Sequence, residues 1–461
     1  MCRIIINITA MALSLLVIRA DIIKNEVVLV KDGAWTWFND PRALLVNSNL
    51  FFSYVRNSDG KTMLSMYHLG AGKTIELWGS SFSQKDDHNV ASLLLRSDGS
   101  MLATYARHHT DDYFAYRFSS GDPSVVNNWS EEKLVSSLGD RLTYANLVRL
   151  SGEGNKIYNF TRLRNFNPTI FISTNNGFNW SGPFWFIKTG TNGRVRPYFK
   201  VCSDNISRID IVYTDGHPRD VENSLYHLYY VNGAFYKSDG SLVKHFSMLP
   251  IEHDSGERGT AIYRFSHEQK EQDPNDCIPS GRAWCWDLAY AKDGKPVCVF
   301  SVQLDNVTGP RNGIDDRIHY YYAFWTGTNW VKMLIAHAGR PLYPAEDDYA
   351  GGICLNPGDP TEVILSTNAK DPFNIRHLRD VPLNENERYQ LWRGVFDPKK
   401  LVFSWTQLTF STNEDNIRPY IPASYGKWMA IIWMRGIYKK YTEFNTQIVG
   451  SFRLSGQELN P

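Results

Sequence analysis

The sequence lacks an excess of charge of either sign. Its 461 residues contain 49 lysines and arginines against 48 aspartates and glutamates, which gives a formal net charge of +1. Proteins that hold nucleic acid by counterion release, or anionic lipid by electrostatic attraction, need a basic field that this composition does not supply. We therefore expect neither nucleic acid nor a membrane as a partner.

Cysteine pairs are lacking too. Apart from Cys2 at the start of the chain, the cysteines show no CxxC spacing and are odd in number, so they cannot all form disulfides. They are Cys202, Cys277, Cys285, Cys298 and Cys354. We expect them to behave as buried small hydrophobic residues. A metal site that joins one of them to His217, His253 or His337 is the less favoured alternative.

Long apolar runs are absent except near the start, where residues 4–18 are mostly apolar and follow Arg3. This run is too short for a convincing transmembrane helix, and Ala20 supplies a small residue before a polar segment. We expect residues 1–20 to be a signal peptide, residues 21–461 to form a single domain, and the protein to be secreted or periplasmic.

Aromatic residues are abundant by contrast, at 14% of the chain, and glycine and proline punctuate it throughout. This composition is typical of short strands joined by tight turns, and aromatic faces also suit the C–H faces of sugars. Seven apolar stretches fold back at turn signals, which are Asn47-Ser48-Asn49, Asp98-Gly99, Gly152-Glu153-Gly154, Asp204-Asn205, Asp293-Gly294, Pro357-Gly358-Asp359 and Tyr425-Gly426. Repeats of this size, without helical periodicity, predict an all-β fold, a seven-bladed β-propeller.

Antiparallel pairing places residues at equal distances from a turn opposite each other, with about 5 Å between their Cβ atoms. On this basis His88 faces His108 or His109 in the second unit, and Tyr144 faces Arg162 in the third. Both pairs fall at the same end of adjacent blades. The sequence therefore predicts one rim that gathers imidazoles, phenols and guanidiniums.

Two further units add to this rim. The fourth unit brings Arg196 opposite the segment that runs from Tyr213 to His217, and the seventh brings Arg418 near Arg435. Such a set suits β-elimination at a 4-linked uronic acid, which needs a cation on the carboxylate, a base for the C5 proton and an acid for the departing oxygen. Arginine fits the first role, while histidine and tyrosine fit the other two, in an order that the sequence leaves open.

Several motifs together resemble the BNR-repeat propellers that include ulvan lyases. They are Asp32-Gly-Ala-Trp-Thr-Trp-Phe-Asn-Asp-Pro-Arg42-Ala43, Asp87-His88-Asn89, Arg107-His108, Thr143-Tyr144-x-Asn146, Asn167-Pro168, Arg196-Pro197-Tyr198, Thr214-Asp-Gly-His-Pro-Arg219, Trp284-x-Trp286-Asp287 and Arg418-Pro419. A segment from Ser173 to Trp180 also resembles the Asp-box turn of sialidase-type propellers, with Asn175 where aspartate is usual. That turn is structural and carries no chemistry.

The resemblance implies a lyase that cleaves rhamnose-rich sulfated glucuronan. By motif matching, His88 and His108 correspond to the two active-site histidines, Tyr144 to the catalytic tyrosine and Arg162 to the arginine that neutralises the uronate. We expect side chains of the same motifs to bind substrate, namely Asn89, Arg107, His109, Asn146, Arg196, Tyr198, His217 and Arg418. The chemistry requires no cofactor. Some relatives bind a structural metal, so a structural zinc or calcium ion is an alternative that stays open, although no ligand set for it can be matched in the sequence. The expected partner is a polysaccharide, bound by a monomer.

Two other functions stay open. A related branch consists of exo-α-L-rhamnosidases that use a histidine near the N-terminus on the opposite face, and this chain has no histidine before His68. That difference favours the lyase over the hydrolase. A sialidase fits less well, since its Arg-Ile-Pro motif is missing and glycosidases normally use paired carboxylates. The other alternative is a glycan-binding propeller without turnover, because a fold does not establish function.

Overall fold

The computed structural model describes residues 26–190, 195–267, 278–304, 317–342, 346–375 and 388–455. These residues form a seven-bladed β-propeller, which confirms the predicted fold class. The predicted signal peptide lies outside the described residues. None of the helices in the described ranges has the length and apolar character needed to cross a bilayer.

The first strand, β1 (Glu26–Val30), belongs to the last blade, and blade 1 follows it. Blade 1 contains β2 (Ala43–Val46), β3 (Asn49–Val55), β4 (Thr62–His68) and β5 (Lys73–Gly79). Blade 2 contains β6 (Ser92–Leu95), β7 (Met101–Tyr105), β8 (Tyr113–Phe118) and β9 (Lys133–Ser136). Blade 3 contains β10 (Thr143–Leu150), β11 (Lys156–Leu163), β12 (Asn167–Ser173) and β13 (Ser181–Trp185).

Blade 4 is larger than the others and is preceded by the short strand β14 (Ile187–Lys188), which pairs in parallel with β20. This part of the chain contains β15 (Phe199–Ser203), β16 (Arg208–Thr214), β17 (Leu225–Val231), β18 (Ala234–Lys237), β19 (Leu242–His245), β20 (Ile251–Glu252) and β21 (Thr260–Tyr263). Blade 5 contains β22 (Gly281–Tyr290), β23 (Pro296–Leu304), β24 (Arg317–Trp325) and β25 (Trp330–Gly339).

Blade 6 contains β26 (Ile353–Leu355), β27 (Glu362–Thr367), β28 (Gln390–Asp397) and β29 (Val402–Gln407). The last segment contains β30 (Asp415–Tyr420), β31 (Ala423–Tyr425), β32 (Trp428–Lys440) and β33 (Glu443–Leu454). Short 3-10 helices occur at Asp87–Asn89, Val126–Asn128, Ser151–Glu153, Arg164–Phe166, Phe246–Met248 and His253–Ser255.

Six of the seven predicted turns connect the innermost strand of a blade to the strand that follows it, and the seventh, Tyr425-Gly426, connects β31 to β32. We call the end of the ring where they lie the turn face. The predicted Asp-box turn links β12 to β13, where the Oδ1 atom of Asn175 accepts hydrogen bonds from the Ser173 hydroxyl and the main-chain N–H of Asn179. An asparagine therefore holds this turn through its amide oxygen.

The ring is closed by the two ends of the described chain. In blade 7 the order is β30, β32, β33 and β1, so the outermost strand comes from the beginning of the chain. The short strand β31 also pairs in parallel with β2 of blade 1. These two pairings join the first and last blades, and ring closure of this kind protects sheet edges that would otherwise be open to aggregation.

The segment before β2 fills the middle of the ring. Trp37 stacks on Trp286 with ring centroids 3.9 Å apart, and Phe38 packs 4.5 Å from Tyr198. Lys200 donates to the main-chain oxygen of Trp37 at 2.6 Å. Because the aromatic rings are buried against several blades at once, this segment ties the blades to a common centre.

Blades 4 and 5 are joined by a chain of four hydrogen-bonded side chains. The Trp330 indole donates to the Ser238 hydroxyl at 2.9 Å, and that hydroxyl lies 2.8 Å from Nδ1 of His227. The Nε2 atom of His227 lies 2.8 Å from a carboxylate oxygen of Asp210. Every member is satisfied, so the buried His227 is structural here.

We expect closure to depend on the inner side of β1. Leu29 is 3% exposed and packs in the core, whereas its neighbour Val28 is 39% exposed. Truncating Leu29→Ala should lower the free energy of unfolding by about 2–5 kcal/mol, because it leaves a cavity. Val28→Ala should change it by less than about 0.5 kcal/mol. Chemical denaturation compares the two, and equal effects would show that β1 does not hold the ring.

Candidate active site

Two imidazoles lie face to face at the end of the ring opposite the turn face. His88 lies in the 3-10 helix Asp87–Asn89 before β6, and His108 follows β7. Their ring centroids are 4.1 Å apart, with planes inclined by 15°. The structure thus brings together the predicted pair, with His108 and not His109 as the partner.

Asp86 holds both rings. One of its carboxylate oxygens accepts from Nδ1 of His88 at 2.6 Å, and the other accepts from Nδ1 of His108 at 2.9 Å. The same Asp86 caps the 3-10 helix by accepting from the main-chain N–H of His88. Since Nδ1 of each ring donates to the carboxylate, the neutral form of His108 carries its lone pair on Nε2.

The two imidazoles have opposite electrostatic environments. Burial disfavours the charged form of His88, but the Asp86 and Asp87 carboxylates outweigh it and raise the pKa of His88 to about 10. Burial and the charge of His88 lower the pKa of His108 to about 4, against the opposing effect of Asp86. At neutral pH the site therefore presents a cationic His88 and a neutral His108, a division that suits acid–base chemistry.

A buried cluster of Asp87, Arg418 and Tyr438 supports the imidazole pair from the interior of the ring. Asp87 accepts hydrogen bonds from Arg418 and from the Tyr438 hydroxyl, which lies 2.6 Å away. Arg418 also donates to the main-chain oxygen of Trp35 and is 1% exposed. Arg418 was predicted to bind substrate, but the structure places it beneath Asp87, where it orients this carboxylate.

The predicted neighbour of Arg418 does not join it. Arg435 lies on the adjacent strand β32 and forms ion pairs with Glu26 and Glu414. Its Cα partner across the ladder is Asn416, two residues from Arg418. The ladder becomes irregular after Ile417, so Arg418 is not held in register with β32. The guanidiniums of Arg418 and Arg435 therefore have different surroundings.

Tyr144 and Arg162 form the second predicted pair. The guanidinium carbon of Arg162 lies 4.7 Å from the Tyr144 ring centroid, and the Tyr144 ring lies 5.7 Å from the His88 ring. Tyr144 has a φ of 69° at an irregularity in the ladder of β10 and β11. Asn39 stabilises this conformation by accepting from the main-chain N–H of Ala145 at 2.8 Å. The bulge turns the phenol toward the imidazoles.

Arg162 is a buried cation without a carboxylate partner among the described residues. It is 3% exposed, and its Nε and one Nη atom make no hydrogen bond within the described part of the chain. Instead it is surrounded by the rings of Tyr144, Tyr198 and Phe166 at 4.7, 5.1 and 5.2 Å. Burial, followed by Tyr198, raises the pKa of Tyr144, so the phenol is protonated at neutral pH.

The other predicted binding residues divide into supporting and accessible groups. Asn89 positions His108 by accepting from its main-chain N–H at 2.7 Å. The Oδ1 atom of Asn146 accepts from the main-chain N–H of Asp40, and Asn146 is 1% exposed. His217 is 2% exposed, with Nδ1 accepting from the main-chain N–H of Arg219. Asn89, Asn146 and His217 therefore act through the protein framework.

The accessible group lies around the mouth of the cluster. His109 is exposed and stacks on Phe166 at 4.4 Å, and Arg196 is ion-paired with Asp220. Arg107 forms a fork-to-fork pair with Asp111 through two nitrogens. Tyr198, also among the predicted residues, lies beneath Arg162 and is 4% exposed.

Sequence reasoning missed the residues that control the charges. Asp86 directly precedes the Asp87-His88-Asn89 motif and was assigned no role, and Tyr441 comes from the loop between β32 and β33, far along the chain. The Tyr441 ring lies 5.3 Å from His88 and 5.9 Å from His108, edge to face with both. Glu346 forms an ion pair with Arg219 nearby, and burial raises its pKa. No local motif signals these approaches.

The donor atoms of Asp86, His88 and His108 lie within 4.8 Å of one another, so this cluster is geometrically able to face a cation. Nδ1 of each ring is already hydrogen-bonded to Asp86 without one. The four described cysteines are free thiols, and His253 and His337 are bonded to Asp215 and to His319. Cys277 lies outside the described residues. The alternative cysteine–histidine metal site thus has no assembled ligand set in the described ranges.

The chain is similar to known proteins in its sequence family and in its fold. A family model described as a BNR repeat-containing family member matches residues 49–338. An ulvan lyase of polysaccharide lyase family PL25, bound to -[GlcA(1-4)Rha3S]-, superposes with a TM-score of 0.62 at 13% identity, covering 93% of this chain and 95% of that chain. The polysaccharide lyase Uly1 gives a TM-score of 0.54 at 11% identity, covering 93% and 98%. No curated protein matches the sequence.

We expect Asp86 to set the charge of the imidazole pair. Asp86→Asn removes the carboxylate that stabilises the cationic His88, so the pKa of His88 should fall from about 10 toward its usual value. In an NMR titration between about pH 5 and pH 8, we expect His88 to change its charge in the variant and to stay cationic in the unmodified protein. Asp111→Asn, which frees Arg107 instead, is the matched control. An unchanged His88 titration would contradict this assignment.

Proposed function

The chain belongs to the BNR repeat-containing family, and from this premise we propose that it is a polysaccharide lyase. Its substrate is a uronic-acid-containing, rhamnose-rich polysaccharide similar to ulvan, and the reaction is β-elimination at a 4-linked uronic acid. The seven-bladed ring positions the candidate active site at one mouth, where a polymer has access from solvent through His108, which is 23% exposed.

The observation that carries this proposal is the buried Arg162. A guanidinium taken out of water without a carboxylate partner is costly for the folded protein. A uronate carboxylate in the site would supply the missing anion and bind through charge-assisted hydrogen bonds. The other cations of the cluster are already neutralised, since Asp86 and Asp87 face His88 and Arg418. Arg162 is therefore the group that recognises the uronate.

His108 and Tyr144 divide the proton transfers. The neutral His108, with its lone pair on Nε2, accepts the C5 proton, which Arg162 acidifies by stabilising the carboxylate in its enolate-like form. The electron pair of the C5–H bond becomes the C4–C5 double bond, and the bond from C4 to the departing oxygen breaks. Tyr144, protonated at neutral pH, gives its proton to that oxygen. Both proton carriers then return to their starting states by exchange with water.

The cationic His88 acts indirectly in this scheme. It lies 4.1 Å from His108 and its charge keeps the pKa of His108 low, which favours the lone pair that the base needs. Because both rings hold the same carboxylate, His88 also fixes the orientation of His108. His88 is a positioning residue in this proposal, while His108, Tyr144 and Arg162 contact the substrate.

The substrate class is supported by a solved neighbour of the same fold. The PL25 ulvan lyase carries a bound glucuronate–rhamnose-3-sulfate repeat. A uronate next to a sulfated rhamnose fits a site whose mouth is lined by cationic Arg196 and by the exposed ring of His109. We also propose that the protein is exported, and N-terminal sequencing of the secreted or periplasmic protein should then begin near residue 21.

We expect ulvan to be cleaved with a rise in ultraviolet absorbance from the new C4–C5 double bond. Release of free rhamnose without this absorbance would support the hydrolase, and binding without any product would support the non-catalytic propeller. His108→Ala and Tyr144→Phe should each lower kcat by about 10²- to 10⁴-fold, because each removes a proton-transfer group. His245→Ala, an exposed histidine on β19, is the matched control and should keep full activity.

Substitution of Arg162 distinguishes a role in catalysis from a role in stabilising the fold. Arg162→Met should abolish turnover while the melting temperature stays the same or rises, because the substitution removes a buried charge that lacks a partner. Differential scanning calorimetry together with the absorbance assay gives both quantities. A large fall in melting temperature would show that Arg162 stabilises the fold, and the proposal would lose its main support.

A further inference from the structure

A second cavity opens on the turn face, at the opposite end of the ring from the imidazole pair. It encloses about 560 Å³ between blades 6 and 7. Its walls include the turn Pro357–Asp359 of blade 6 and the turn around Gly426 of blade 7. The cavity is therefore separate from the candidate active site, and none of the residues assigned to catalysis lines it.

Two arginines are fixed in the wall of this cavity by one buried carboxylate. Glu362, with 7% of its side chain exposed, accepts hydrogen bonds from Arg393 and Arg453. Burial opposes ionisation of Glu362, but Arg453 and Arg393 outweigh it and lower its pKa. One anion thus holds two cations, so the local charge stays positive. The bonds to Glu362 also fix the rotamers of both arginines. A ligand that binds them therefore loses less side-chain entropy.

The arginines keep donors for a ligand. Arg393 bonds Glu362 through Nε, and Arg453 bonds it through one Nη atom. No hydrogen bond within the described residues uses the two Nη atoms of Arg393 or the other Nη atom of Arg453. Both side chains are partly accessible, at 20% and 16%. A planar anion or a sulfate ester in the cavity can therefore receive several fixed N–H groups.

An aromatic side chain completes the cavity. Trp428, at the start of β32, is half-buried and lines the same space. At its edge the exposed Lys292 from the turn of blade 5 lies 3.7 Å from the carboxylate of Asp359, so these two charges offset each other. An indole face beside fixed guanidiniums matches a sugar ring that bears an anionic substituent, because the C–H face packs on the ring while the anion meets the arginines.

We propose that this cavity is a second glycan-binding site, which holds a segment of an anionic polysaccharide through Trp428, Arg393 and Arg453. The class of polymer rests on the proposed function, whereas the binding does not require turnover. A chain held on the turn face stays near the enzyme while another segment reaches the opposite mouth, so the two sites raise the apparent affinity for long polymers.

Affinity electrophoresis in native gels that contain ulvan tests this site. All proteins carry His108→Ala so that the polymer stays intact, and Trp428→Ala and Arg393→Gln are compared with Lys399→Gln, a cation at the same end of blade 6 but outside the cavity. Each cavity substitution should weaken the retardation by about tenfold, since it removes one charge-assisted or stacking contact. Lys399→Gln should retain full retardation.

Further gels, with other polymers, identify which anionic group the cavity binds and whether it requires an anionic polymer. Loss of retardation with chemically desulfated ulvan identifies a sulfate ester as the bound group, and retention identifies the uronate. Unchanged retardation of both folded cavity variants, or equal retardation by a neutral glucan, would overturn the proposal. A protein that shows no lyase absorbance but still depends on Trp428 and Arg393 in the gels would refute the proposed catalysis and leave this site standing.

Discussion

The buried contact between Asp87 and Arg418 joins the first part of the chain to the last blade at the centre of the ring. Neither side chain is more than 1% exposed. The Arg418 guanidinium also reaches the main-chain oxygen of Trp35 and the hydroxyl of Tyr438. Because Asp87 begins the 3-10 helix that carries His88, the position of the imidazole pair depends on this contact. Because desolvation offsets much of the attraction, the importance of this contact lies in the groups that it positions and not in net stability.

Charge is distributed unevenly among the cations of the candidate site. His88 and Arg418 are balanced by two carboxylates, while Arg162 is balanced by none that the described ranges contain. Aromatic rings surround Arg162 and weaken its hydration without neutralising it. In the proposed function an anion from the substrate balances this cation. The left-handed backbone of Tyr144, beside Arg162, shows that the surrounding structure accepts local strain there.

The fold could be predicted well from the sequence because its turns are local signals. Asp98-Gly99 and Asp293-Gly294 each mark a connection between the first two strands of a blade, and pairing about such turns correctly placed His88 beside His108. The roles of single side chains could not be predicted in the same way. In the linear motifs, Arg418 and Asn146 resemble substrate-binding residues. In the structure Arg418 follows an irregularity in its ladder and bonds Asp87, and Asn146 accepts from the main-chain N–H of Asp40, so both side chains support the protein framework. Tyr441 reaches the site only because the ring closes, which no local pattern records.

The pairing of β1 with β33 has a consequence for how the protein is made. The strand at residues 26–30 finds its partner at residues 443–454, which leave the ribosome only after all the intervening blades. Until then the first and seventh blades cannot meet, and the chain on its way out of the ribosome is an open arc with a free edge. Pairing across such a long stretch of chain is intrinsically slow, so ring closure is a late event, and the edge strands of the arc stay exposed until β33 is available.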